Sequence, residues 1–162
     1  MKKYLILLFI ATLVIMAVSC KKDEQAEGYM NATVDGKEYK SIRINAHFPA
    51  SSNKGILSIS SSADGSRNIS LAINSYKGAG TYDFKPDEFG RKNVATYTTY
   101  TQGDLADKIY TTQPEDNDDG YITISKQEGS AVEGTFKFKA LYSPHPDKKE
   151  YVTVVGSFST FL

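Results

Sequence analysis

The chain has 162 residues with 19 basic and 19 acidic side chains, so its formal net charge is zero. This length is typical of one domain, and the lack of a basic surplus argues against a nucleic-acid partner, because nucleic-acid binding needs a cationic surface. A single cysteine excludes an intrachain disulfide, so the domain must be stabilised by its core alone.

Residues 1–19 have the composition of a secretory signal peptide. Lys2 and Lys3 make a positive start, and residues 4–18 are apolar apart from one threonine. This apolar run fits the hydrophobic region of a signal peptide and is short for a bilayer span, which takes about 20 residues. A transmembrane anchor with an incidental cysteine is the alternative.

The run stops at Ala17-Val18-Ser19-Cys20, which resembles the lipobox of bacterial lipoproteins. The resemblance implies that the Cys20 sulfur carries a diacylglyceryl group, that a peptidase cuts before this residue, and that the new amine is acylated. Several acyl chains on one residue hold a protein on a membrane more firmly than a single chain does. We therefore expect the lipid attachment site at Cys20.

Residues 20–28 are polar and predict a flexible tether. Within it, Lys22, Asp23 and Glu24 resemble the lysine-plus-two-acids export signal of surface lipoproteins in the Bacteroidota. The resemblance implies a lipid-anchored protein of the outer membrane that is exposed on the cell surface. An ordinary charged tether is the alternative.

Residues 29–162 are predicted to form a single all-β domain, because apolar and polar residues alternate and no helical stripe lasts three turns. Asp35-Gly36 between two short runs predicts a type I′ hairpin, since both central residues of that turn need positive φ. Ala63-Asp64-Gly65-Ser66 predicts a further turn. The strands expected in this half are 30–34, 37–39, 42–46, one through Leu57 and Ile59, 69–73 and 81–84.

The second half continues the alternation. Its clearest two-faced strand places Phe136 and Phe138 on the apolar face and Lys137 and Lys139 on the polar face. About nine or ten short strands with turn signals between them predict an antiparallel β-sandwich, and a lipocalin-like closed barrel is the alternative. The strands expected in this half are 94–101, 109–112, 121–125, 132–140 and 151–162.

Four segments together resemble an uncharacterised family of Bacteroidota lipoproteins. They are Ala32-Thr33-Val34-Asp35-Gly36-Lys37, Gly80-Thr81-Tyr82, Gly120-Tyr121-Ile122-Thr123-Ile124 and Val132-Glu133-Gly134-Thr135-Phe136. These segments are hairpins and strand starts. The resemblance therefore implies lineage and localisation, and it implies no activity.

The residues that carry common catalytic chemistry form no recognisable set. His47 and His145 are the two histidines, and neither lies in a nucleophile motif. Residues 143–147, Ser-Pro-His-Pro-Asp, predict a rigid exposed turn around His145. With two histidines and no free thiol, we predict no catalytic residue, no metal site and no cofactor.

Carboxylates are the remaining route to catalysis, because glycoside hydrolysis needs a pair of acids. Residues 115–120 also partly resemble a calcium loop, but Lys126 stands where an EF-hand has its bidentate glutamate. Few large apolar residues are nearby to raise a carboxyl pKa, so a solvated acidic segment is the preferred interpretation. The candidate acids are Asp104, Asp107, Glu115, Asp116, Asp118 and Asp119.

Tyr97 and Tyr100 would point to opposite faces of one strand, so at most one of them belongs to the core. An outward tyrosine either packs across strands or binds a partner. The predicted function is a non-enzymatic binding or assembly module on an outer-membrane lipoprotein. It would contact the membrane through the lipid on Cys20 and bind a protein or glycan partner that the sequence does not identify. A small hydrolase using the loop carboxylates is the alternative.

Overall fold

A computed structural model describes residues 28–48, 55–101, 107–116, 120–145 and 147–162. The predicted signal peptide, the lipid site at Cys20 and the export signal at Lys22, Asp23 and Glu24 lie outside these residues. The described part of the chain contains no helix that is long and apolar enough to cross a membrane.

The domain is built from strands, as the alternating pattern predicted. The described residues form eleven strands, one at each of the runs expected from the sequence, whereas the predicted total was about nine or ten. The short second and sixth strands count as separate strands because each pairs in a ladder of its own. A 3₁₀ turn covers Pro114–Asp116. The strands are β1 Tyr29–Val34, β2 Lys37–Lys40, β3 Arg43–His47, β4 Leu57–Ala63, β5 Arg67–Ile73, β6 Gly80–Tyr82, β7 Val94–Thr99, β8 Lys108–Thr112, β9 Tyr121–Glu128, β10 Ala131–His145 and β11 Lys148–Phe161.

All strand pairs are antiparallel, and they join in one curled sheet in the order β2-β1-β11-β10-β8-β7-β5-β4-β3. Strand β9 pairs with the first half of β10, and β6 pairs with β9. The ends of the order, β2 and β3, are joined by Ser41 and Ile42, whose amides donate to Met30 O at 2.9 Å and to Ser62 O at 2.8 Å. The antiparallel all-β fold is therefore confirmed, with a curl intermediate between a sandwich and a half-barrel.

The two Asp-Gly turns adopt the backbone that their residues favour. Asp35 and Gly36 have φ of 48° and 78°, and Asp64 and Gly65 have φ of 49° and 72°. Positive φ at both central residues is the type I′ geometry, whose twist matches that of the flanking strands. The predicted hairpin at Asp35-Gly36 is confirmed, and the turn at Asp64-Gly65 connects β4 to β5 in the same way.

Inward-facing side chains of the strands fill one core inside the curl. Phe136 and Phe138 are buried while Lys139 is exposed, so the predicted register of β10 is confirmed. Tyr97 is buried and Tyr100, just beyond β7, is exposed, as their spacing predicted. The largest fully buried side chains are Tyr39, Phe84, Phe136, Phe138, Phe158, Met30, Leu57, Ile59, Ile69, Leu71, Ile73 and Ile122.

The exposed turn predicted for residues 143–147 is wrong over its first three residues, which belong to β10. Tyr142 pairs with Glu150 and His145 pairs with Lys148, and the register shifts between these two pairs. The irregularity includes Pro144, which has no N–H to donate to a ladder, and a bulge accommodates such a residue. The hairpin therefore extends further than the two prolines indicated.

Candidate functional site

A surface cleft of about 720 Å³ lies beside the end of β5 and the segments on either side of β6. It is bounded by the turn after β5 and by the loop between β6 and β7. The lining residues are Asn74, Ser75, Tyr76, Lys77, Thr81, Tyr82, Asp83, Lys85, Pro86, Asp87, Glu88, Phe89, Arg91 and Asn93.

Two tyrosines, Tyr76 and Tyr82, belong to the aromatic part of the lining. The Tyr76 ring packs edge-on against Phe48 at a centroid distance of 5.5 Å and lies 5.9 Å from the Tyr82 ring. The Tyr76 hydroxyl donates to Gln127 Oε1 at 2.8 Å, and the Tyr82 hydroxyl donates to Gly78 O at 2.7 Å. Burial raises the pKa of Tyr76, so its hydroxyl stays protonated at neutral pH. Both rings are therefore held in place before any ligand arrives.

The loop between β6 and β7 is ordered by Asp87. Its carboxylate accepts hydrogen bonds from the amides of Phe89 and Arg91, each at 2.9 Å, and forms an ion pair with the Arg91 guanidinium at 2.7 Å. These contacts, the Arg91 side-chain hydrogen bond first, lower the pKa of Asp87. The guanidinium also lies 4.9 Å from the centre of the Phe89 ring. Phe89 and Arg91 are thus presented to solvent in a fixed arrangement, with Phe89 64% exposed.

Asparagine side chains attach this loop to the end of β5. The Asn74 amide N–H donates to Asn93 Oδ1 at 2.8 Å, and the Asn74 side chain donates to Lys92 O. Asn93 in turn donates to Asp83 O. Because amide groups both donate and accept, Asn74 and Asn93 supply both kinds of hydrogen bond at the edge of the cleft.

Ser75 is a residue that the sequence interpretation missed. Its φ of 56° lies in the left-handed region, which a serine seldom adopts. Its buried hydroxyl has no hydrogen-bond partner among the described residues. Strained backbone and unsatisfied buried polar groups concentrate at functional sites. The only signal in the sequence was the Asn-Ser pair directly after a predicted strand.

Apart from Pro86, the residues that line the cleft have aromatic, amide, hydroxyl or charged side chains. Its lining contains neither histidine nor cysteine, and Asp87 is already engaged with Arg91. Within the described ranges, no group of three or more His, Cys, Asp or Glu side chains is placed to hold a metal ion. His47 is exposed on β3 and is not one of the lining residues.

Of the candidate acids that it describes, the structure separates Asp107 from Glu115 and Asp116, which are neighbours in one turn. Asp107 directly precedes β8 and accepts a hydrogen bond from Thr101, whereas Glu115 and Asp116 lie in the 3₁₀ turn after β8. They flank opposite ends of a five-residue strand about 16 Å long, beyond the spacing that a glycosidase pair needs. Asp104, Asp118 and Asp119, and with them most of the calcium-like run, lie outside the described residues.

Comparison with known proteins identifies the chain at the level of its family. The searches of curated proteins and of solved structures found no match. A family described as a domain of unknown function, DUF6252, matches residues 26–160. This range covers the β domain almost completely and includes all four segments that indicated an uncharacterised family. The chain therefore belongs to the DUF6252 family.

Proposed function

We propose that this protein is a lipoprotein of the outer membrane whose β domain is a non-enzymatic binding module. The support for the anchor is the run of residues 1–19, which ends in small residues before the chain's single cysteine at Cys20. The support for surface exposure and for a Bacteroidota origin is the resemblance of Lys22, Asp23 and Glu24 to an export signal. An anchored domain of this kind meets its ligand from a fixed position on the membrane.

The observation that carries the binding role is the preorganised cleft. Phe89 is exposed on a loop that Asp87 and Arg91 hold rigid, so a ligand stacking on the ring would not have to order the loop. Preorganisation of this kind lowers the entropic cost of association. An exposed aromatic ring beside fixed polar groups is also the usual composition of a ligand site.

The charge of the lining favours a neutral ligand. Asp83, Asp87 and Glu88 are balanced by Lys77, Lys85 and Arg91. Amide groups and an exposed aromatic ring complement hydroxyl groups and the apolar face of a sugar ring. We therefore propose a neutral oligosaccharide as the ligand class. For a hydrolase, the alternative, no observation at the cleft provides a nucleophile with its base.

To test this, a panel of neutral oligosaccharides would be screened for binding to the intact protein. Isothermal titration calorimetry would then measure the affinity for each sugar that binds. Phe89→Ala should weaken binding about tenfold, because it removes the ring on which a sugar would stack. Ile109→Ala is the matched control, since Ile109 is exposed on β8 outside the cleft. Equal affinity of the Phe89 variant and the unmodified protein, or no binding across the panel, would refute this ligand assignment.

A further inference from the structure

Four exposed hydrophobic side chains surround the start of β1. Tyr29 is 47% exposed, Ile42 68%, Phe161 45% and Leu162 38%. The side chains beneath them are fully buried, since Met30 and Phe158 are at most 1% exposed. The core is therefore complete without these four residues, which we call the β1 patch.

Strand register brings the β1 patch together. Tyr29 pairs with Ser159 on β11, so Phe161 lies on the same outer face two residues further along β11. Ser41 N–H donates to Met30 O at 2.9 Å, which extends the β1–β2 contact by one residue, and Ile42 is the next residue along the chain at this end of β1. Tyr29 and Phe161 thus share the outer face of β1 and β11, and Ile42 and Leu162 lie next to them at the same end of these strands.

The chain reaches the domain at this same place. Gly28 lies between β3 and β11, where a Cβ atom would be 2.7 Å from Ile44 Cγ2 and 2.7 Å from Ser159 O. The close packing at Gly28 leaves no room for a side chain at the last residue before β1. Leu162 is also held, because its N–H donates to Ser130 O at 2.8 Å. Gly28, the first described residue, therefore lies at the same end of β1 as the patch.

We propose that the β1 patch rests on the lipid bilayer surface. This inference depends on the lipid anchor at Cys20 proposed above. Cys20 is nine residues before Tyr29, so a fully extended chain places the patch within about 30 Å of the acyl chains. Tyrosine and other large apolar side chains are favoured at the boundary between headgroups and acyl chains.

The anchor and the β1 patch complement each other. A tethered domain has a high effective concentration at the membrane, so a surface too weak to bind a membrane alone is sufficient once the anchor holds the domain there. Exposed Arg43, next to Ile42, adds a cation that suits anionic headgroups. This contact would fix how the domain stands on the membrane, and hence in which direction its cleft faces.

The chain contains no tryptophan, so single tryptophan variants report on one position without background. The lipidated full-length variants Tyr29→Trp, Phe161→Trp and Tyr100→Trp would be reconstituted in phosphatidylcholine–phosphatidylglycerol vesicles with or without brominated acyl chains. Tyr100 is the matched aromatic control, because it lies beyond β7 and bonds through its amide to Ser66 in the β4–β5 turn. Flotation of the same vesicles measures anchoring separately.

We expect the brominated lipids to remove about half of the fluorescence emission of the tryptophans at positions 29 and 161, because interfacial side chains lie within about 5–10 Å of the acyl boundary. The emission of the tryptophan at position 100 should not change. Equal quenching at all three positions in protein that floats would overturn the β1 patch proposal alone. Protein that does not float would overturn the anchor and this proposal together. A blue-shifted, unquenched emission that depends on protein concentration would show that the patch contacts a second copy of the chain, and it would overturn the proposed membrane contact.

Discussion

Arg67 shows how a single residue ties distant parts of the sheet. Its guanidinium donates to the Asp64 carboxylate at 2.6 Å through Nη2 and to Glu38 O at 3.1 Å through Nη1, and it lies 5.7 Å from the centre of the Tyr39 ring. The side chain thus spans from the β4–β5 turn to β2. Arg67 links Asp64 to Glu38, which are neighbours in space but lie far from each other in the sequence.

The Asp64 carboxylate is the titrating member of this cluster. Hydrogen bonds from Arg67 and then from Ser66 lower the pKa of Asp64 to about 2. Because the folded-state value is depressed, the ionised form stabilises the fold above the unfolded pKa of about 4. That contribution is lost as the pH falls through about 2. The group is half exposed, so solvent screening keeps the gain small.

We predict that Asp64→Asn lowers the free energy of unfolding at pH 7 by about 0.5–1 kcal/mol and that the difference nearly vanishes at about pH 2. Asparagine tolerates the positive φ of this position, so the substitution removes the charge and keeps the turn. Urea unfolding at several pH values is the measurement. Asp147→Asn, at an exposed position before β11, is the control. A difference independent of pH would show that the ion pair is not its source.

At the scale of elements, the β10–β11 hairpin organises the core through two glycines. Gly134 pairs with Phe158, and Phe136 pairs with Gly156. A Cβ on Gly156 would lie 2.6 Å from Phe136 Cζ and 2.6 Å from Asn31 O, and one on Gly134 would lie 2.6 Å from Phe158 Cζ. Each phenylalanine ring therefore covers the glycine opposite it, an arrangement that stabilises glycine within strands.

We predict that Gly156→Ala destabilises the domain by about 1–3 kcal/mol, because the added methyl group would push the Phe136 ring and the β1 backbone apart. Ser157→Ala, one residue along the same strand, should change stability by less than about 0.5 kcal/mol. Thermal unfolding monitored by circular dichroism compares the two variants. If the Gly156 variant were as stable as the Ser157 variant, the strands around Gly156 would be able to move apart without a cost in free energy.

At the scale of the whole molecule, a buried polar contact joins β2, at one end of the sheet order, to β4, the strand next to the other end. The hydroxyl groups of Tyr39 on β2 and Ser61 on β4 are hydrogen-bonded at 2.8 Å, and Ser61 also donates to Met30 Sδ at 2.9 Å. Burial raises the pKa of Tyr39, so this contact persists at neutral pH. The curl therefore depends on a polar pair inside the core as well as on apolar packing.

The proposed attachment of the whole molecule to the membrane is tested at Cys20. We predict that Cys20→Ser gives a precursor that takes up no labelled palmitate, because the proposed acceptor of the diacylglyceryl group is the thiol. Metabolic labelling followed by gel electrophoresis measures this. Labelling of the variant at the level of the unmodified protein would contradict the lipoprotein proposal. The triple change of Lys22, Asp23 and Glu24 to alanine is the matched control, since it should keep the lipid and lose only exposure to protease on whole cells.

The sequence by itself determined the class of the fold and which side chains face the core. Period-two alternation identified the strands, the face of β10 that carries Phe136 and Phe138, and the hairpin at Asp35-Gly36. These properties are local, because side-chain direction alternates along any strand and the turn type follows from two adjacent residues. Four short segments were also sufficient to indicate an uncharacterised family.

Only the tertiary structure decided which strands are neighbours and what their loops build. The pairing of β1 with β11, the division of β10 between β9 and β8, and the curl that brings Tyr39 to Ser61 join residues distant in sequence. Alternation tells which face a residue occupies, but it contains no information on the strand beside it. The cleft beside β5 and the β1 patch both depend on which strands are neighbours, so neither could be predicted from the sequence alone.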